Sequence, residues 1–190
     1  MLNINNFVLG GYDVKEISDQ IFIIKNFVSE DERAKLLDIA KSFTEQNWRK
    51  TALAENNQET KGFIEHIQLH DKSISIEDDF DLAGRLKSII NQDWNIRPFT
   101  TMQRLYSGCD MEDHVDDHPV YSLLFASVLY LNDDYVGGEI KFLKRNLVVK
   151  PEKGDLIFFP SIQNCEHGVN EVKEGPTRYV ITSYIWEKNK

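Results

Sequence analysis

The chain has few cysteines and no long hydrophobic run. Its 190 residues include two cysteines, too few for the disulfide framework of a small secreted scaffold. No apolar stretch approaches the roughly 18 residues that a membrane-spanning helix needs. The N-terminal segment also lacks the basic flank and the unbroken apolar stretch of a signal peptide. We therefore expect a cytoplasmic protein that does not enter the membrane.

Positive charge is also scarce. Lysine and arginine number 22 against 31 for aspartate and glutamate, which gives a net charge of -9. Proteins that follow a phosphate backbone need the opposite sign, so we expect no nucleic-acid partner. The length and the ordinary content of apolar and charged residues fit one globular domain over 1–190. Neither the length nor the composition indicates an oligomeric state.

The N-terminal part, residues 1–98, shows the pattern of helices with supporting strands. Residues 21–28 form a short β-branched and aromatic run. Ser29 and Glu32 then have the spacing of a capping box, which predicts the start of a helix. Apolar residues at helical spacing predict a second helix over about 76–93.

From residue 99 onward the pattern changes to short apolar runs separated by turn residues. Such a series indicates a β-sandwich or barrel. We predict an α+β fold: a double-stranded β-helix (jelly roll, cupin-like) core over 99–186, with the N-terminal helices packed on one of its sheets. The predicted strands are 99–106, 121–131, 138–143, 146–150, 155–159 and 177–186.

One set of side chains in this core has the chemistry of a metal site. His114 and Asp116 are two residues apart, so on an extended segment both point to the same side. His167 follows a strongly apolar predicted strand and could supply a third ligand. Two histidines and one carboxylate leave open coordination positions, which is typical of non-haem Fe(II) oxygenases. His118 is a competing ligand, although Pro119 beside it suggests that the strand ends there.

The motifs around these residues resemble those of the Fe(II)/2-oxoglutarate-dependent dioxygenases, in particular the prolyl 4-hydroxylase-like branch. The resemblance covers about residues 99–186, with each motif in the family's order and near its spacing. The matching motifs are Tyr106, His114-Val115-Asp116, Tyr130-Leu131-Asn132-Asp133, Gly137-Gly138-Glu139, Pro151, Gly154-Asp155, Phe158-Phe159-Pro160, His167-Gly168-Val169 and Gly175-Pro176-Thr177-Arg178-Tyr179.

The resemblance implies a role for each matching site residue. The two histidines and Asp116 would bind Fe(II), and Arg178 would pair with the distal carboxylate of 2-oxoglutarate. A guanidinium suits that partner because its planar fork matches a carboxylate, although some branches of the family carry lysine here. Tyr106, Tyr130 and Thr182 match residues of the co-substrate pocket.

The implied reaction couples the oxidative decarboxylation of 2-oxoglutarate by O₂, giving succinate and CO₂, with hydroxylation of a substrate C–H bond. Ascorbate is a candidate reductant. The substrate is expected to be a prolyl residue, another peptide or protein group, or an amino-acid-like small molecule. Hydroxylases of prolyl peptides usually carry Arg and Thr where this chain has Leu123 and Ala126, which argues against a prolyl peptide.

Two alternatives remain open on the sequence alone. A cupin-like metal-dependent isomerase would use the same fold but would not need Arg178. The second alternative is a non-catalytic binding module. The three candidate metal ligands and Arg178 are all present, which argues against a loss of catalysis. The long polar segment 47–62 is a candidate substrate lid.

Overall fold

The computed structural model describes residues 7, 11–50, 64–72, 74–90, 92, 94–116 and 123–186. Its helices are α1 (Glu30–Ser42), α2 (Ile76–Phe80) and α3 (Leu82–Ile90). Its strands are β1 (Asp13–Ser18), β2 (Ile21–Lys25), β3 (Arg49–Lys50), β4 (Glu65–Gln68), β5 (Asn95–Ile96), β6 (Thr101–Leu105), β7 (Met111–His114), β8 (Leu123–Tyr130), β9 (Val136–Gly137), β10 (Ile140–Phe142), β11 (Leu147–Val149), β12 (Leu156–Pro160), β13 (His167–Val169), β14 (Val172–Glu174) and β15 (Arg178–Trp186).

Two main antiparallel sheets form the core of the described chain. The larger sheet has the order β1-β2-β12-β8-β15-β6-β4-β3, with β5 paired to β15, and the smaller sheet has the order β11-β10-β13-β7. Strands β9 and β14 form a separate pair. The predicted double-stranded β-helix with α+β composition is confirmed. No helix within the described ranges is long and apolar enough to cross a membrane.

The large sheet has one apolar face toward the helices and one toward the small sheet. Along β15, Ile181 and Ile185 pack in a cluster with Leu36 of α1 and Leu86 of α3. Val180 belongs to a second cluster, together with residues of β10 such as Ile140 and Phe142. This two-residue alternation along one strand divides the core into two layers. The helices therefore pack on one sheet, as predicted.

The predicted helix over about 76–93 is wrong in one respect, because the structure has two helices there. Asp81 separates them in the left-handed region, with φ of 46°. Aspartate tolerates this conformation better than most residues do. The carboxylate of Glu77 supports the break, since it accepts hydrogen bonds from the backbone N–H groups of Ala83 at 2.9 Å and Phe99 at 2.6 Å.

The capping box predicted at the start of α1 is present and is joined to α3. The Glu32 carboxylate accepts from the Ser29 backbone N–H at 2.8 Å and forms an ion pair with Arg85 at 2.7 Å. The bond from Arg85 is the main cause that lowers the pKa of Glu32 from 4.5 to about 2. The charged carboxylate therefore links the two helices.

This low pKa makes the stability depend on pH in the acid range. Because the pKa of Glu32 is lower in the folded than in the unfolded chain, its contribution is complete above pH 4.5 and is lost as pH falls toward 2. We expect Glu32→Gln to remove part of the loss in unfolding free energy across that range. Urea unfolding of both proteins at a series of pH values measures this. Parallel pH profiles would contradict it.

A buried carboxylate fixes the turn before β12. Asp155 is fully buried and accepts from the Lys25 ammonium at 2.6 Å and from the backbone N–H groups of Asn26 and Glu152 at 3.1 and 3.0 Å. The adjacent Gly154 has φ of +86°, which favours glycine. This turn attaches β2 to the jelly-roll strands.

We expect Asp155→Ala to lower the unfolding free energy by about 3 kcal/mol, because it leaves the partners of a buried charge unpaired. Glu152→Ala is the matched control, since Glu152 binds the same ammonium at 2.8 Å but its side chain is 73% exposed. An exposed pair contributes only about 0.2–1 kcal/mol. Denaturant unfolding of the two variants measures the difference. Equal losses would contradict the assignment of Asp155 as the anchor.

Candidate functional site

A cleft lies between the two main sheets, and both sheets contribute to it. The strands β6, β8 and β15 form one wall, and β7, β10 and β13 form the other. The lining residues are Gln103, Met111, His114, Asp116, Ala126, Ser127, Val128, Ile140, His167, Val169, Arg178, Val180, Thr182 and Tyr184. All four predicted catalytic residues are among them.

The pairing of β7 with β13 brings the two histidines together. His114 and His167 are directly opposite each other in the register, and their ring centroids are 4.5 Å apart. His167 is buried against Phe142 and Phe159, whose ring centroids lie 5.8 and 4.5 Å from its own. Packing therefore holds the imidazole of His167 in place, and the register of the two strands sets the imidazole of His114 beside it.

Asp116 follows β7 and completes the cluster. One carboxylate oxygen lies 3.9 Å from Nε2 of His114, and the other lies 3.6 Å from Nε2 of His167. Ligand atoms of the three residues all lie within 4.8 Å of one another. Within the described residues this is the one group of histidine, cysteine or acidic side chains with such spacing.

Both histidines present a nitrogen lone pair to this cluster. Nδ1 of His114 lies 2.9 Å from the carbonyl of Glu112, and Nδ1 of His167 lies 3.2 Å from the carbonyl of Cys165. A carbonyl only accepts hydrogen bonds, so Nδ1 carries the proton and Nε2 is left free for a metal. Burial lowers the pKa of His167 to about 4, which keeps this ring neutral. The donor set thus fits Fe(II), which binds two imidazoles and one carboxylate in such sites.

Arg178 is a buried cation in the same cleft. Its side chain lies over the ring of Tyr130, 4.9 Å from the centroid, and donates to the Tyr130 hydroxyl at 3.1 Å. In the part of the chain that the structure describes, its Nε has no hydrogen-bond partner, and no carboxylate pairs with it. A buried charge without a counter-ion is costly, so the position fits an anionic ligand such as the distal carboxylate of 2-oxoglutarate.

The same face of β15 carries two more hydroxyl groups in the cleft. Thr182 lines it as predicted. Tyr184 is nearer to the metal cluster, and its hydroxyl lies 3.4 Å from a carboxylate oxygen of Asp116. Burial raises the pKa of Tyr184, so the hydroxyl keeps its proton and donates to the carboxylate. Arg178, Thr182 and Tyr184 share this face because residues two apart on a strand point the same way.

The structure places Tyr106 outside the cleft, contrary to its predicted contact with the co-substrate. Gln103 of β6 lines the cleft, so Arg104 and Tyr106 fall on the opposite side. The guanidinium of Arg104 stacks between the rings of Trp48 and Tyr106, at 4.3 and 4.7 Å from their centroids. The Tyr106 hydroxyl donates to Glu45 at 3.2 Å. In this arrangement the Tyr106 side chain does not line the cleft.

Other predicted features are only partly within the described residues. His118 lies outside them, as does most of the candidate lid 47–62. Of the two positions that differ from the prolyl-peptide pattern, Ala126 lines the cleft and is paired with Tyr184 across the sheet. Leu123 begins β8 and is paired with Trp186.

Several cleft residues were not identified from the sequence. Gln103, Met111, Ser127 and Val128 line the cleft but carry no chemical signal of their own. The two-residue period of β6 could have placed Gln103, because it faces the opposite way from the buried Met102. The contact of Tyr184 with the metal cluster depends on where the chain places Asp116 after β7, which the sequence does not specify.

Comparisons with known proteins agree with this arrangement. Residues 100–186 match the family model described as the 2OG-Fe(II) oxygenase superfamily. No curated protein matches the chain in sequence. Among solved structures, the chain is similar to a viral collagen prolyl hydroxylase from Paramecium bursaria Chlorella virus-1, with 18% identity, a TM-score of 0.62 and coverage of 90% of this chain and 97% of that one.

Two other similar structures have the same fold. A prolyl-4-hydroxylase from Pseudomonas putida is 15% identical, with a TM-score of 0.60 and coverage of 90% and 94%. A prolyl hydroxylase from Trichoplax adhaerens, in complex with a hypoxia inducible factor peptide, is 20% identical, with a TM-score of 0.58 and coverage of 88% and 84%. Residues 100–186 are thus similar in sequence to the 2OG-Fe(II) oxygenases, and the chain shares its fold with these solved structures.

Proposed function

We propose that the protein hydroxylates a C–H bond of a peptide or amino-acid-like substrate, with Fe(II) held by His114, Asp116 and His167 and with 2-oxoglutarate held by Arg178. The observation that carries this proposal is one cleft that contains both groups of residues. Atoms balance when 2-oxoglutarate, O₂ and the substrate C–H give succinate, CO₂ and the C–OH product. The iron and its co-substrate, when bound, supply the oxidising power that side chains lack.

The residues of this chain would position the reactants and exclude water. Tyr184 would orient the carboxylate of Asp116 through its hydrogen bond. The apolar side chains of Ile140, Val169 and Val180 also line the cleft. A dry site strengthens the attraction between the guanidinium and a carboxylate and limits side reactions. The isomerase and the binding module are less well supported, because neither needs a buried arginine without an anionic partner.

The peptide or amino-acid-like substrate is inferred from the neighbours and from the cleft. One structural neighbour is a collagen prolyl hydroxylase and another holds a peptide. Here the methyl group of Ala126 and the side chain of Leu123 stand where prolyl-peptide hydroxylases usually present polar groups. We therefore propose that this enzyme recognises its substrate without the arginine and threonine contacts at these two positions.

Oxygen-dependent succinate release tests the proposed function. Proline-containing peptides are compared with free proline and other free amino acids, each with Fe(II), 2-oxoglutarate and O₂. We expect at least one of these classes to raise succinate release above the substrate-free rate and to gain 16 mass units. The Leu123→Arg/Ala126→Thr double variant should shift the preference toward prolyl peptides. A folded, iron-loaded protein that releases no succinate with or without any substrate would contradict the proposal.

A further inference from the structure

Arg97 lies beside Tyr184 on the face of the large sheet that borders the cleft. It follows β5, which pairs Ile96 with Ile185 of β15. One position further in the same register, Arg97 is opposite Tyr184, and its backbone N–H donates to the carbonyl of Tyr184 at 2.9 Å. Residues directly opposite in an antiparallel pair have their side chains on one face, with Cβ atoms about 5 Å apart. Because Tyr184 lines the cleft, Arg97 belongs to the cleft side of the sheet.

The neighbours of Arg97 in sequence support this orientation. Ile96 packs against the core cluster on the helix side of the sheet, and successive residues of an extended segment point to opposite faces. The Ser183 hydroxyl donates to the carbonyl of Arg97, and Pro98 restricts Arg97 to extended conformations. Burial raises the pKa of Tyr184, and the positive charge of Arg97 opposes this rise. Arg97 thus extends from a fixed backbone toward the part of the cleft that Tyr184 lines.

Arg97 has no acidic partner among the described residues, although the chain has 31 acidic residues against 22 basic ones. Four other arginines each form an ion pair with a carboxylate, namely Arg33, Arg85, Arg104 and Arg145. Arg178 also lacks such a partner and is assigned above to an anionic ligand. Since Arg97 is half-buried, its charge is partly removed from water and favours an anion as well.

The anion at Arg97 differs from the one at Arg178. Tyr184, the cross-strand neighbour of Arg97, is six positions from Arg178 on β15, so the two backbone positions are about 20 Å apart along the strand. The proposed function assigns the distal carboxylate of 2-oxoglutarate to Arg178 and its 2-oxo acid end to Fe(II), which leaves neither carboxylate for Arg97. The hydroxyl of Tyr184 lies 3.4 Å from Asp116. Arg97 is therefore near the place where a substrate must approach the metal cluster.

We propose that Arg97 binds a carboxylate of the substrate, which makes the preferred substrate an anion. The carboxylate is the α-carboxylate of a free amino acid or an acidic side chain of a peptide. A guanidinium binds either one through two parallel hydrogen bonds. On the other side of β15, Ala126 is opposite Tyr184 and offers only a methyl group. The charged contact is thus on the β5 side of Tyr184. This inference rests on the proposed function and names its substrate class.

The test compares probes that differ in one charge. Free proline and other free amino acids are compared with their amides, and blocked proline peptides with glutamate beside proline are compared with those that have glutamine. Calorimetry on the protein loaded with Fe(II) and 2-oxoglutarate, without O₂, measures each Kd independently of turnover. We expect the carboxylate member of at least one class of pairs to bind about 10-fold tighter, the usual effect of a hydrogen bond between charged groups. The class that shows this preference identifies the source of the carboxylate.

Arg97→Gln should remove the preference for the carboxylate, and Arg97→Lys should keep part of it because lysine keeps the charge. Lys87→Gln is the matched control, since it removes a positive charge from an exposed position of α3 on the helix side of the sheet. It should keep the native preference. The melting temperature of ligand-free Arg97→Gln should equal that of the native protein, because no ion pair within the described residues is lost.

The outcomes separate this inference from the proposed function. A native protein that binds 2-oxoglutarate but prefers no carboxylate probe over its neutral counterpart would overturn the inference and leave the proposed function intact. The same holds if Arg97→Gln keeps the native preference, with or without a lower melting temperature, or if Lys87→Gln loses it equally. A native protein that does not bind 2-oxoglutarate would overturn both.

Discussion

Asp116→Ala is expected to abolish turnover and to weaken Fe(II) binding severely. The carboxylate is the only negative charge among the three clustered ligands, and it faces Nε2 of both histidines at 3.6 to 3.9 Å. Loss of an outer partner of a metal ligand already costs about 10- to 100-fold in affinity or activity, so loss of a direct ligand should exceed that range. Iron content after dialysis and succinate release by the same samples measure both effects.

Asp110→Ala is the control for this variant. It removes the same charge from an exposed position directly before β7, and we expect normal iron content and activity. Asp116→Ala should remain folded, because the carboxylate carries none of the sheet pairing. A folded Asp116→Ala protein that keeps native iron content and succinate release would contradict the assignment of Asp116 as a ligand.

Arg178→Met is expected to raise the KM for 2-oxoglutarate by about 100-fold or more, in line with the 2–5 kcal/mol that loss of one partner of a buried charge pair costs. Methionine has a similar length and can fill the buried space without the charge. The value of kcat at saturating co-substrate should fall less, because the guanidinium is assigned to binding and not to the iron cluster. Steady-state rates over a wide range of 2-oxoglutarate concentration separate the two parameters.

Arg178→Lys tests the chemical reason for this effect. Lysine keeps the positive charge but lacks the planar fork that pairs with both carboxylate oxygens. We expect a KM between those of the native protein and of Arg178→Met. If both variants kept the native KM while the protein remained folded, Arg178 would not be the group that binds the distal carboxylate.

The alternation of side chains along single strands explains most of what the sequence predicted correctly. Arg178 and Thr182 are four positions apart on β15, an even offset that places both side chains on the face toward the cleft. His114 and Asp116 are two positions apart, so the same alternation predicted that both point to one side. The register that sets His167 opposite His114 joins strands far apart in sequence. Only the matching motifs predicted that contact.

The errors have local causes. Tyr106 matched a family position, but Arg104 two residues earlier holds its ring on the far side of β6, with Glu45 as the partner of both. The prediction of one continuous second helix missed the left-handed backbone conformation of Asp81. A helical pattern of apolar residues cannot reveal such a break.

Anaerobic titration of the native protein with Fe(II) and then 2-oxoglutarate tests the central claim most directly. Visible spectroscopy detects the metal-to-ligand charge-transfer band that forms only when 2-oxoglutarate chelates the iron. We predict that the band appears in the native protein, saturates at one co-substrate per chain, is lost in Asp116→Ala and requires more 2-oxoglutarate in Arg178→Met. A folded, iron-loaded native protein that shows no band would contradict the assignment of this cleft as an Fe(II) and 2-oxoglutarate site.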